Sequence, residues 1–339
     1  MQSIRPPLYR LAFVGVLMAI GSCARAEIAK SLVFKRGTDG YNIYRIPTME
    51  KAANGELLAF AEARSGNDAS EIDIVVKRSD DNGATWGPLE VVVENDNYRG
   101  WDGLPTDDVT AGNQSPVVDL LDADKPGRIW MPFTLENDRV FVTYSDDHGQ
   151  AWPADASGRA REITPDIKQS GWAWYATGPV HGIQLTRGQQ AGRLLIPSDH
   201  TFNGGGGGGD WGAQAVYSDD HGQSWQLGAV YQQTSDAIRP DENVAVELVD
   251  SRVSFNSRDT GASAGGRSIA YSSDGGLSDD GPFAADTNPT PEPGAGRGLG
   301  LAGHRSGDWG LTKRLDPWRR RWRPGHTRPR LGTGNTRRF

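Results

Sequence analysis

The chain contains one cysteine, Cys23, so no disulfide forms within it and its stability has to come from packing. It also lacks an apolar run long enough to span a membrane comfortably, since Leu11 to Ile20 is too short. Beyond the N-terminus no stretch repeats apolar residues at the three-to-four spacing of an amphipathic helix. That absence excludes a helical bundle and leaves an all-β chain. Tyrosine is absent after Tyr271.

What is abundant is glycine (44 residues) and tryptophan (11), as short strands, many turns and aromatic packing between sheets require. An eight-residue phrase returns along the chain. Ser79-Asp80-Asp81-Asn82-Gly83-Ala84-Thr85-Trp86 is echoed from Ser145 to Trp152 and from Ser218 to Trp225, and a decayed copy runs from Ser272 to Asp279. The starts are 66, 73 and 54 residues apart, a period that signals one supersecondary unit per copy. Each copy follows a strand-like run, such as Ile74 to Arg78 or Val140 to Tyr144. The phrase itself reads as a turn, with Asp and Asn bonding backbone amides and glycine supplying a positive φ. It is a hairpin fastener with no catalytic part.

Strand runs between the fasteners give each unit three or four short strands, the content of a β-propeller blade. They are Lys30 to Lys35, Gly55 to Glu62 and Ile72 to Arg78, then Pro116 to Leu120 and Gly127 to Phe133, then Gly182 to Leu185 and Gly192 to Pro197. A fourth unit has Asn243 to Val249, Arg252 to Asn256 and Arg267 to Tyr271.

The two ends differ from this body. Residues 1–26 read as an export signal, with Arg5 and Arg10 ahead of the apolar run and Ala24-Arg25-Ala26 as a small-residue cleavage site. Ile20-Gly21-Ser22-Cys23 resembles a bacterial lipoprotein box, which would make Cys23 a lipid anchor and the only link to a membrane. The expected location is secreted or periplasmic, with or without that anchor. Residues 294–339 carry twelve Lys and Arg against two acids, a net of +10 in a chain of net −7, which leaves residues 1–293 at −17. A basic stretch such as Trp318 to Pro324 suits nucleic acid or an anionic surface. Its interruption by Pro and Gly, and its lack of strands and fasteners, favour a segment that is not natively folded and stems from a shifted reading frame or a degraded 3′ end. No nucleic-acid partner is therefore expected.

The phrase Ser-x-Asp-x-Gly-x-(Thr/Ser)-Trp resembles the Asp box of sialidases, which non-catalytic propellers also carry. Tyr44-Arg45-Ile46-Pro47 is similar to the Arg-Ile-Pro motif that opens the sialidase propeller; the resemblance extends over residues 30–293 and implies a propeller domain over residues 27–293. It implies a six-bladed β-propeller and a bacterial-type exo-α-sialidase, a glycoside hydrolase needing no cofactor or metal. Its substrates would be sialylated glycans, glycoproteins or gangliosides.

Sialic acid carries a carboxylate on its anomeric carbon, and guanidinium groups grip carboxylates in a planar fork. The resemblance makes Arg45 and Arg258 clamp arginines and Arg64 a further sugar-binding residue. It makes Asp68, on the loop after a strand, the general acid/base, with Glu71 and Asp73 as rival acids nearby. Glu247, an acid among apolar strand residues, is expected to activate the family's nucleophilic tyrosine. Tyr175 is expected to line the pocket, or else to be blade core. No tail residue matches the family's third arginine or its tyrosine, so the propeller is expected to be incomplete at its C-terminus and turnover to be weak. The alternative is a non-catalytic Asp-box propeller that binds glycans or proteins. The combination of Arg45, Arg64, Asp68, Glu247 and Arg258 speaks for the enzyme, because a binder needs no paired acid and base.

Overall fold

The computed structural model describes residues 30–204, 210–232, 238–261 and 266–286. The expected export signal, the six-glycine run apart from Gly204, and the basic tail fall outside them. The described residues form four antiparallel sheets in chain order, each one propeller blade. Blade 1 has β1 (Ile43–Lys51), β2 (Leu57–Arg64), β3 (Ile72–Ser79) and β4 (Glu90–Val93). Blade 2 has β5 (Ala111–Gly112), β6 (Val117–Asp119), β7 (Arg128–Leu135), β8 (Arg139–Ser145) and β9 (Arg161–Glu162). After a single helical turn, α1 (Thr164–Ile167), blade 3 has β10 (Tyr175–Thr177), β11 (Ile183–Gln184), β12 (Leu194–Phe202), β13 (Asp210–Ser218) and β14 (Gln226–Gln232). Blade 4 has β15 (Pro240–Glu247), β16 (Val253–Asp259), β17 (Arg267–Ser272) and β18 (Ala284–Ala285). In blades 2 and 3 the innermost strand is split, so β5 and β6 both pair with β7, and β10 and β11 both pair with β12.

Strand sequence explains the stacking. Residues on alternate sides of a strand face opposite ways, and β12 is buried along its whole length because both sides meet another blade. Leu194 and Ile196 pack with Val117, Val142 and Trp225 toward blade 2. Leu195 packs with Ala245 and Phe255 toward blade 4. One expected strand did not form: Lys30 to Lys35 runs without regular pairing, and its Phe34 stacks on Tyr44 with centroids 5.1 Å apart.

The fasteners close as their residue types demand. In the first, Gly83 N–H donates to Ser79 Oγ (2.8 Å), Thr85 N–H donates to Asp81 Oδ1 (2.8 Å) and the Thr85 hydroxyl donates to Asp81 Oδ2 (2.6 Å). The copy from Ser272 is not decayed in this respect. Gly276 N–H donates to Ser272 Oγ (2.9 Å) and Ser278 N–H donates to Asp274 Oδ1 (2.9 Å), and only the closing tryptophan is missing. Each turn places two successive residues at positive φ: Asn82-Gly83, His148-Gly149, His221-Gly222 and Gly275-Gly276.

These bonds hold the box carboxylates ionised. At Asp81 the Thr85 hydroxyl leads and the value falls to about 2. At Asp147, Asp220 and Asp274 partial burial works the other way but is outweighed by hydroxyl and amide donors. A carboxyl held lower in the folded chain than its ordinary value of 3.8 contributes stability above that pH. The contribution is lost as pH falls through the folded value. The thermal midpoint of Asp147→Asn should therefore lie below wild type at pH 7, and the gap should close as pH drops below about 4. A gap independent of pH would contradict this account.

Candidate active site

Strand register separates the two ends of the blades. Ile43, at the start of β1, pairs with Arg64, while Leu57, at the start of β2, pairs with Ser79, where the first fastener begins. In blade 4, Pro240 pairs with Asp259, and Val253 pairs with both Glu247 and Ser272. The fasteners thus occupy one end, and the starts of the innermost strands occupy the other. Hydrogen bonds join those starts across blades. Gln114 Nε2 donates to the Ile46 carbonyl (2.5 Å), Thr177 Oγ1 to the Asn113 carbonyl (2.6 Å) and Asn243 N–H to the Gly178 carbonyl (2.8 Å). Arg45 and Glu242 flank this level, next to Ile46 and Asn243.

In blade 1 the site is built on a buried acid. Glu62 accepts from Arg64 Nε (2.9 Å) and, with its other oxygen, from Asn113 N–H of blade 2 (2.9 Å). Gly112 permits that approach, since a Cβ there would lie 2.3 Å from Glu62 Oε1. Arg64, buried and fixed by Glu62, bonds Asp68 through Nη1. Arg45 Nη1 stands 3.7 Å from the same Asp68 oxygen. The Asp68 side chain is 79% exposed and that of Arg45 48%, so both are open to a ligand. The Arg64 hydrogen bond, opposed by partial desolvation and aided by the charges of Arg64 and Arg45, holds the Asp68 carboxyl below its ordinary value. The rival acids are engaged elsewhere. Asp73 accepts from the Tyr41 hydroxyl (2.6 Å) and Asn95 N–H (2.8 Å), and Glu71 pairs with Arg99.

A second cluster at the same end of the blades lies between blades 3 and 4. Arg258 Nη1 is 3.2 Å from Asp241 Oδ2 and 3.6 Å from Glu242 Oε1. Asp199 on β12 is buried beside them and accepts from Trp174 Nε1 (3.2 Å). Burial, then the charge of Glu242, pushes the Asp241 carboxyl up against the pull of Arg258.

Two sequence expectations are corrected. Glu247 sits at the fastener end of β15, where it accepts from Thr186 N–H (3.0 Å), the Thr186 hydroxyl (2.7 Å) and Arg187 N–H (2.9 Å). It is five residues from Glu242 along an extended strand, roughly 17 Å at about 3.3 Å per residue, and clamps a loop instead of facing Arg45. Tyr175 is fully buried in the core between blades 2 and 3, against Trp172, so it lines no open cleft. At the opposite end of β15, beside Arg258, stand Asp241 and Glu242. Strand polarity could have found them: Arg45 lies near the start of its inner strand, so a partner in blade 4 belongs near the start of β15.

At the fastener end, Asp119, Asp122 and His221 bring potential metal-ligand atoms within 4.8 Å of one another. The Asp119 oxygens are already taken by Gln184 Nε2 (2.5 Å), by Leu121 and Asp122 N–H, and by His221 Nδ1 at 2.8 Å. The group reads as a tie between blades.

A model of the BNR repeat-like domain family matches residues 55–293. The chain belongs to the BNR repeat-like family. Over 269 residues it is 33% identical to a sialidase of Micromonospora viridifaciens, a match covering 76% of this chain and 38% of that one. Over 258 residues it is 28% identical to a sialidase of Paraclostridium sordellii, covering 72% of this chain and 60% of that one. The BNR fold is also that of the solved Hadza microbial sialidase Hz136, with a TM-score of 0.61 and 23% identity over 73% of this chain and 48% of that one. The chain thus spans between 38% and 60% of the length of these two curated relatives.

Proposed function

We propose that this chain carries the cleft of an exo-α-sialidase, in a propeller of six blades, that removes terminal sialic acids from glycans, glycoproteins or gangliosides outside the cytoplasm. The observation that carries the proposal is the contact of Asp68 with Arg45 and Arg64 at the blade end that also holds Glu242 and Arg258. Arg45 and Arg258 take the sugar carboxylate, and Arg64 orients Asp68 and the sugar. Asp68 first protonates the glycosidic oxygen and later takes a proton from the attacking water. Glu242, in place of Glu247, is the base for a phenol nucleophile, a role assigned to no tyrosine of the described residues.

The electrostatics give Asp68 a way to switch. In the free cleft both arginines favour its anion. A ligand carboxylate on Arg45 offsets that charge and makes Asp68 easier to protonate, as a general acid requires. Sialoside hydrolysis is the direct test, run at high protein concentration because slow turnover is expected. Asp68→Asn and Glu242→Gln should each lower the rate about 100-fold or more. Glu247→Gln should leave it within about twofold, a difference of less than ~0.5 kcal/mol in the barrier. Equal losses for Glu242→Gln and Glu247→Gln would contradict the assignment.

A further inference from the structure

Blade 3 presents to blade 4 a carboxyl group with almost nothing to hold its charge. Asp199 is fully buried. One oxygen accepts a single hydrogen bond, from the indole of Trp174 at 3.2 Å. The other has no partner among the described residues. Facing it are Asp241 and Glu242 from β15 and Arg258 from β16. Asp259, also on β16, is occupied by the backbone N–H groups of Arg239 (3.0 Å) and Gly261 (2.8 Å). His200, the next residue on β12, turns to the other side and sits between Gln214 and Gln232. Two buried carboxyl groups, Asp199 and Asp241, therefore share the guanidinium of Arg258.

Were both ionised, this pair would outweigh Arg258 by one negative charge and would repel an anionic sugar. A buried carboxylate with one neutral donor and one bare oxygen is also costly, and the relief available to it is a proton. Burial first, then the charges of Asp241 and Glu242, push the Asp199 carboxyl well above its ordinary range. Arg258 has a buried Nε with no partner among the described residues, so it still has a donor to offer.

We propose that Asp199 is a positioning residue that carries a proton beside Asp241, and that this proton keeps a second buried carboxylate from competing with a ligand carboxylate for Arg258. The inference rests on the reading of the cleft as a sialic-acid site, but the protonation of Asp199 can be measured without any ligand. The neutral acid also suits the position, since it can donate toward the anionic neighbours that a second carboxylate would repel.

Infrared spectra of the full chain at pH 7 should contain a protonated-carboxyl C=O band that Asp199→Asn removes. Affinity for 2-deoxy-2,3-didehydro-N-acetylneuraminic acid, measured over a pH series, should fall in step with loss of that band in wild type. In Asp199→Asn, whose amide cannot ionise, the part of the fall that follows the band should disappear. Should that variant not fold, Trp174→Phe removes the one hydrogen bond that the described residues give the carboxylate, so the band should persist to higher pH than in wild type. The proposal is overturned by absence of the band at pH 7, or by affinity falling while the band remains. If the sugar does not bind at any pH, the reading of the cleft fails, while the infrared result still decides the state of Asp199.

Discussion

Alanine in place of Arg258 is expected to weaken binding of 2-deoxy-2,3-didehydro-N-acetylneuraminic acid by one to two powers of ten. A hydrogen bond to a charged group contributes about 1.5–3 kcal/mol, and about 1.4 kcal/mol is a factor of ten in affinity. The loss should reach the upper end, because Arg258 also faces Asp241 and Glu242 at 3.2 and 3.6 Å. Without it, their charge confronts the ligand carboxylate directly. Arg258→Lys should recover only part of the loss, since an ammonium keeps the charge but not the planar fork. Titration calorimetry with the purified chain reads both. Unchanged affinity in Arg258→Ala, with an unchanged thermal midpoint, would remove Arg258 from the clamp.

The largest effect on stability is expected at Gly222. Its φ is +81°, and a Cβ there would lie 2.1 Å from Cε2 of Trp130. Trp130 is buried and meets Trp225 edge-on, with centroids 6.2 Å apart, so any shift of the ring disturbs that contact. The left-handed backbone costs a side chain about 1–2 kcal/mol, and overpacking typically adds about 1–3. Gly222→Ala should therefore lose roughly 2–5 kcal/mol by these terms. Gly55 is the control: its φ is +95°, but nothing lies within 4 Å of the added Cβ. Gly55→Ala should cost only the backbone term, about 1–2 kcal/mol. Denaturant unfolding of both variants checks this, and equal losses would mean that Trp130 yields.

These effects trace which parts of the molecule could be read from its residues. The fastener phrase was legible because each position has a local job: Ser and Asp supply acceptors, and the left-handed pair needs Asn, His or Gly. That local chemistry explains why the turn from Ser272 closes without its tryptophan. Strand runs with strong apolar content, such as β2, β7 and β12, were equally plain. The short strands β5, β9, β10 and β18 were not, because two or three residues carry no periodicity. They exist only because a neighbouring long strand offers its edge.

The site was half legible. Arg45, Arg64 and Asp68 stood in one motif-bearing stretch, and the fold brings them together. Glu247 is an acid among apolar residues, a pattern that reports burial but not which end of the strand it marks. Glu242 and Asp241 sit beside a polar Asn at the strand start and carry no such contrast. Asp199 was invisible, since its environment is assembled from three strands and Trp174.

The most direct test of the account is a crystal structure of this chain with 2-deoxy-2,3-didehydro-N-acetylneuraminic acid. The ligand carboxylate is predicted to rest against both Arg45 and Arg258, with Asp68 and Glu242 on either side of the sugar ring and Glu247 still bound to Thr186 and Arg187. A ligand seated elsewhere, or guanidinium groups of Arg45 and Arg258 too far apart to share one carboxylate, would contradict it.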